Sequence, residues 1–196
     1  MTNQPLQIVL GSTSPFRKEL LQRLKLDFIT DSPDIDETPL NNESPDTYVQ
    51  RLSLEKAKAV TARHPNALVI GSDQCSVLDG EIRGKPHTHE NAIKQLSASS
   101  GKRVSFLTGL CVYDSSDDSY QLEMIPFHVD FRELTTVEIE SYLQAEKPYN
   151  CAGSFKSEGL GITLFKRLDG EDPTALIGLP LIKLSEMLRN KGCMLP

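Results

Sequence analysis

The sequence predicts an α/β protein, a mixed twisted sheet flanked by helices. Two observations lead there. Short apolar runs bounded by turn residues alternate with segments of helical periodicity, as when strands feed into helices. Past the middle, two long runs are separated only by a polar stretch, the mark of an antiparallel pair. The 196 residues suit one domain over 1–196, with room for two lobes around a cleft.

The elements follow in order. Gln7–Gly11 (QIVLG) reads as a short buried strand. Ser12-Thr13-Ser14-Pro15 is a helix start, because Ser14 can cap and Pro15 suits the first helical position. Phe16–Leu26 then carries Leu20, Leu21 and Leu24 at helical spacing. Asp27–Thr30 is a second strand, and Asp31–Asn42, rich in Asp, Pro and Asn, is a loop. Ser44-Pro45-Asp46 opens a helix reaching about Arg63. Ala67–Ser72 is the clearest buried strand, and Cys75–Leu78 extends it to a turn at Asp79-Gly80. Asn91–Ser99 is a helix. Arg103–Tyr113 and Gln121–Arg132 are strands joined by the turn Asp114–Ser119. Thr136–Ala145 is a capped helix and Leu160–Leu168 a strand. Pro180–Lys191 is a closing helix whose apolar faces can pack internally or form a homodimer.

Composition excludes several functions. A net charge of -6 argues against binding long nucleic acid through a general basic surface. No apolar run approaches the roughly 20 residues that span a bilayer, and Met1–Leu10 lacks the basic and apolar regions of a leader. The expectation is therefore no membrane contact. Cys75, Cys111, Cys151 and Cys193 are scattered with no CxxC pair, which points away from zinc and disulfides and towards a reducing cytoplasm. His64, His87, His89 and His128 show no metal-ligand spacing, and His87 and His89 read as surface residues.

Several segments carry chemistry. In Ser12–Lys18 a strand ends, hydroxyls follow and a helix begins, so free N–H groups, Ser12 and Arg17 can meet an anion. Alone, the segment reads first as an ordinary capped amphipathic helix with a solvated Arg-Lys pair. Asp34, Asp36 and Glu37 crowd a loop, and loop acids can hold Mg²⁺ through phosphate and water. Asp73 stands at the carboxyl end of a buried strand, where it can act as a general base or hold a metal. Lys85, between Gly84 and Pro86, is a charge on a stiff backbone. Lys56, taken alone, is an exposed helix lysine. Cys151–Gly161 is a glycine-rich loop whose Glu158 can read a base edge.

Taken together these segments resemble the Maf family of nucleoside triphosphate pyrophosphatases. The resemblance runs in order through Ser12-Thr13-Ser14-Pro15-Phe16-Arg17, Glu55-Lys56-Ala57 and Gly71-Ser72-Asp73. It continues through Leu78-Asp79-Gly80-Glu81, Gly84-Lys85-Pro86, Thr108-Gly109, Ala152-Gly153-Ser154 and Gly178-Leu179-Pro180-Leu181. It implies a fold similar to inosine triphosphate pyrophosphatases, with a cleft between two lobes. It implies attack of water on the α-phosphorus of a small nucleoside triphosphate, with a divalent cation (Mg, Mn or Co) as cofactor. By position it makes Asp73 the proton acceptor and a metal ligand. Glu37 is then a second metal ligand, and Ser12, Arg17, Lys56 and Lys85 are phosphate contacts.

Three positions bear on specificity. Many members have a basic residue where Phe16 stands, Thr where Gln74 stands and Gln where Glu158 stands. Members with Thr and Gln at the latter two act on dTTP and UTP, whereas the present combination resembles the subfamily acting on 7-methyl-GTP. An aromatic face at Phe16 would attract the cationic methylated ring, and Glu158 would accept from its N1–H and amine. Two other readings stay open here: a dTTP or UTP pyrophosphatase, and a non-catalytic nucleotide-binding regulator of cell division.

Overall fold

The computed structural model describes residues 7–196. The expectation about a leader in Met1–Leu10 therefore falls partly outside the described residues. One seven-stranded sheet runs through both halves of the chain. Its strands are β1 (Gln7–Gly11), β2 (Phe28–Asp31), β3 (Ala67–Leu78), β4 (Glu81–Arg83), β5 (Arg103–Asp114), β6 (Ser119–Phe131) and β7 (Phe165–Asp169). The helices are α1 (Pro15–Gln22), α2 (Pro45–Thr61), α3 (His89–Ser99), α4 (Thr136–Glu146) and α5 (Leu181–Asn190). The strand order is β2-β1-β3-β5-β6-β7, with β4 also on β3. β1 is parallel to β2 and β3, and the other pairs are antiparallel. This is the mixed α/β sheet the sequence predicts.

β3 organises the molecule. It pairs with β5 from Leu68 to Val77 along one side. On the other side it pairs with β1 as far as Ile70 and with β4 from Ser76 onward. Residues 71–75 have no strand neighbour on that side among the described residues. The gap opens the sheet beyond the carboxyl end of β1, where open α/β sheets bind ligands.

Two large apolar clusters flank this gap. One gathers Leu10, Leu20, Ile70, Leu110, Leu184 and Leu188 around α1 and α5. The other gathers Leu96, Phe106, Phe131, Ile139, Leu143 and Phe155 around α3 and α4. They are the two lobes. The stripe Leu181, Leu184, Met187 and Leu188 of α5 faces the first core, so the closing helix packs internally. Among the described residues no helix is long and apolar enough to cross a membrane.

The departures have local causes. α1 ends at Gln22, short of Leu26, because three i→i+3 bonds tighten the chain and Lys25 turns left-handed at φ 55°. α3 begins at His89, since Thr88 caps it by accepting from the Asn91 N–H. Residues 160–164 are a 3₁₀ turn, and only Phe165–Asp169 is strand. Glu81–Arg83, just past the Asp79-Gly80 turn, forms a further short strand, β4. β3 is unbroken, so Asp73 lies within a strand rather than at its end.

Candidate active site

Close helix packing brings the central groups together. α2 lies across β3 and β5 at Gly71 and Gly109. A Cβ on Gly71 would overlap the Ser53 carbonyl oxygen, and one on Gly109 the Val49 carbonyl oxygen. With hydrogen in both places, Ser53 reaches the strand and its Oγ accepts from the Asp73 N–H at 3.0 Å. Strand alternation then points Asp73 towards α2, and Ser72 and Gln74 towards the opposite face.

Lys56, on the buried side of α2, meets Asp73. It is 5% exposed, not the exposed lysine its local sequence indicates. Its Nζ lies 2.5 Å from Asp73 Oδ1 and 2.7 Å from Glu37 Oε1. One ammonium thus bridges two carboxylates from different elements. Burial pushes the Glu37 carboxyl up. The hydrogen bond from Lys56 and the charges of Lys56, Lys85 and Arg17 outweigh that and hold it below the ordinary carboxylate value. Cys75, two residues on, is raised to about 12 by burial and then by the charges of Asp73 and Asp46, so its thiol stays protonated.

Arg17 approaches from the first turn of α1. Ser14 caps that helix, its Oγ accepting from the Arg17 N–H. The Arg17 Nε donates to the Gly178 carbonyl at 2.8 Å, and Ser72 Oγ donates to the same oxygen at 3.0 Å. Burial lowers the Arg17 pKa from 12.5, and Asp73 and Glu37 oppose that. A guanidinium keeps its charge under such a shift. Anchoring through Nε fixes the fork and leaves its outer nitrogens for the cleft.

The cleft has a volume of about 780 Å³, within the range of small-molecule sites. It brings together Ser12, Phe16, Arg17, Glu37, Lys56, Asp73, Gln74, Lys85 and Glu158. Of the three loop acids only Glu37 lines it; Asp34 and Asp36 do not, and Asp36 accepts from the Thr38 N–H and hydroxyl within the loop instead. The lining residues differ in environment. Ser12, Lys56 and Asp73 are buried. Phe16 is half-buried, and Lys85 and Glu158 are exposed on the opposite lobe. Glu158 bonds only Ser157 Oγ, at 3.3 Å, among the described residues. Gln74 spends its amide N–H groups on Thr108 Oγ1 and the Ala175 and Leu176 carbonyls, at 2.7–3.1 Å. Its direct offer to a ligand is therefore its carbonyl oxygen. Its second effect is to hold the Ala175–Ile177 turn against the sheet.

Tyr48, Lys147 and Lys156 also line the cleft and were not singled out from the sequence. Tyr48 reads as a core position of α2. The lysines flank Pro148 and Phe155, and no local pattern separates them from surface residues. His89 is not a plain surface residue either. Its ring joins Tyr149 Oη at 2.9 Å to Glu140 at 2.9–3.0 Å, tying α3 to α4.

The acids fit a hard divalent cation. Among the described residues no group of three or more His, Cys, Asp or Glu side chains gathers at one point. Glu37 and Asp73 nevertheless converge on one positive charge, and carboxylate oxygens are the donors such cations prefer. Two carboxylates, completed by water and anionic oxygens of a ligand, is a common arrangement for Mg²⁺.

The chain is similar to several known proteins. A protein of Alcanivorax borkumensis named 7-methyl-GTP pyrophosphatase is 56% identical over 196 residues, covering 100% of both chains. One of Colwellia psychrerythraea with the same name is 57% identical, covering 94% of this chain and 92% of its own. A solved structure, the Staphylococcus aureus Ham1 protein, overlaps 65% of this chain and 72% of its own at 16% identity and a TM-score of 0.46. The family model described as Maf-like protein matches residues 7–191, and the chain belongs to the Maf family.

Proposed function

We propose that this protein hydrolyses 7-methyl-GTP to 7-methyl-GMP and pyrophosphate, with Asp73 as general base. One observation carries the reading: a buried carboxylate at the floor of a cleft, held by Lys56 at 2.5 Å and surrounded by further cations. The names of relatives more than half identical over nearly the whole chain support the same substrate.

Water attacks the α-phosphorus. Its oxygen forms the new bond to that phosphorus, the bond to the bridging oxygen breaks, and pyrophosphate leaves. Asp73 takes the proton from water. Lys56 holds one oxygen of that carboxylate and leaves the other for the water. Arg17, Lys56, Lys85 and Ser12 bind the phosphates, which carry up to about four negative charges and gain most from fixed donors. Glu37 and Asp73 would hold the divalent cation (Mg, Mn or Co). When bound, it supplies charge neutralisation and lowers the pKa of water.

The base sits between the lobes. Phe16 offers its ring to the cationic 7-methylguanine, worth about 0.5–2 kcal/mol. Glu158 accepts from N1–H and the exocyclic amine, and the Gln74 carbonyl oxygen faces the same space. We read 1–196 as one domain, supported by the shared sheet. We assign it to the cytoplasm, supported by four free cysteines.

Asp73→Asn tests the chemistry. Pyrophosphate release should fall by about 100-fold or more, while nucleotide binding by calorimetry persists. Unchanged release from the Asn variant would remove Asp73 as base. Glu158→Gln tests the base pocket: kcat/KM for 7-methyl-GTP should drop relative to UTP.

A further inference from the structure

Glu37 poses a problem of precision. It stands in a stretch without regular structure between β2 and α2, yet its carboxylate meets a buried lysine. A loop carboxylate has several soft torsions, so something must hold this loop. The structure assigns that task to Arg51, Glu43 and Tyr48.

Arg51 projects from α2 beneath the loop. Its Nε lies 2.6 Å from Glu43 Oε1 and its Nη2 2.8 Å from Glu43 Oε2, a two-pronged pair. The same Nη2 donates to the Thr38 carbonyl at 3.2 Å. Glu43 in turn accepts from the Leu40 N–H at 3.0 Å. The Glu43 side chain is 3% exposed and that of Arg51 17%, so the pair is largely shielded from water. Tyr48, one turn earlier, donates its hydroxyl to the Glu37 carbonyl at 3.0 Å. Burial, then Asp73 and Glu37, raises that phenol to about 12, so it remains a donor. The Arg51 guanidinium lies 5.7 Å from the Tyr48 ring centre, and the two supports brace each other.

These contacts close on the backbone at Glu37, Thr38 and Leu40. They do not touch the cleft groups Asp73 or Lys56. We infer that Arg51, through its fork to Glu43 and its bond to Thr38, is a positioning residue that presents Glu37 to a divalent cation. The inference rests on the reading of Glu37 as a metal ligand. A merely structural role would leave metal affinity alone once the protein is folded. Lysine at 51 keeps the charge and loses the fork, which is the feature invoked.

The test is direct binding of Mn²⁺ to the nucleotide-free protein, followed by electron paramagnetic resonance. Arg51→Lys should weaken binding about tenfold while circular dichroism stays native. Glu43→Gln, the milder second variant, should weaken it in the same direction. In a Glu37→Gln background, Arg51→Lys should have no further effect, because the group it positions is gone. Three results overturn the proposal. If Arg51→Lys leaves Mn²⁺ affinity unchanged while Glu37→Gln weakens it, the strut is wrong and the metal ligand stands. If Glu37→Gln itself changes nothing, the metal reading falls and takes the strut with it. If Arg51→Lys acts equally in both backgrounds, its effect does not pass through Glu37.

Discussion

Lys56 gains its character from what surrounds it. Its local sequence, Leu54-Glu55-Lys56-Ala57, is that of any solvent-facing helix turn. Burial and two carboxylates within 2.7 Å turn it into the central cation of the cleft. No local pattern encodes that, because Asp73 and Glu37 come from other elements. Asp73 was legible as a candidate from its place in an apolar strand. Its partner was legible only through the family resemblance. Glu158 shows a related limit: its glycine-rich loop marked it as a candidate base reader, but not that it shares a cleft with Arg17, Phe16 and Asp73. The state of Glu37 sets a pH expectation. Its folded carboxyl lies below the ordinary 4.5, so its contribution to stability is present above that value. That contribution is lost as pH falls through the lower folded value. Mn²⁺ affinity should therefore hold level from neutral pH down to 4.5 and weaken only below it, as read by spin resonance.

At the scale of elements, α2 does most to build the site. Ser44 caps it, its buried side carries Lys56 among Leu52, Ser53, Ala57 and Val60, and Tyr48 and Arg51 face the Glu37 loop. The approach depends on Gly71 and Gly109, as noted above. Gly71→Ala should destabilise the fold by about 1–3 kcal/mol. The same shift would move Lys56 off Asp73, so activity should fall further than stability. Urea titration beside a rate assay separates the two effects. The helix existed plainly in the sequence, with its Ser-Pro start and apolar spacing. Its distance from the strand did not, because a glycine in a strand signals close approach without naming the partner. α4 offers a cleaner capping case. Thr135 and Glu138 bond reciprocally, and these bonds with Arg132 hold the Glu138 carboxyl at about 2. A depressed carboxyl stabilises above its unfolded value of 4.5, and the gain disappears as pH falls towards 2. Glu138→Gln should therefore lose stability at pH 7 and converge with the parent near pH 2 in thermal melts.

Across the described residues two large apolar cores share one sheet, with the cleft where β3 runs uncovered between β1 and β4. Ser12, Phe16 and Arg17 come from the lobe of the first core, and Glu158 from the other. Alternation of strands and helices made the α/β class legible, and the antiparallel pair after the middle was legible from its polar turn. The gap at residues 71–75 was not, since it depends on which strands flank β3 rather than on β3 itself. β4 escaped because three residues carry too little pattern. The 3₁₀ turn at 160–164 escaped because its loose alternation imitates a strand. That this cleft serves methylated guanine triphosphate is checked by pyrophosphate release from 7-methyl-GTP, GTP, dTTP and UTP with Mg²⁺ or Mn²⁺. The expected kcat/KM for 7-methyl-GTP is at least about tenfold above that for GTP, the equivalent of about 1.4 kcal/mol from Phe16 and Glu158 together. A preference for dTTP or UTP would contradict it.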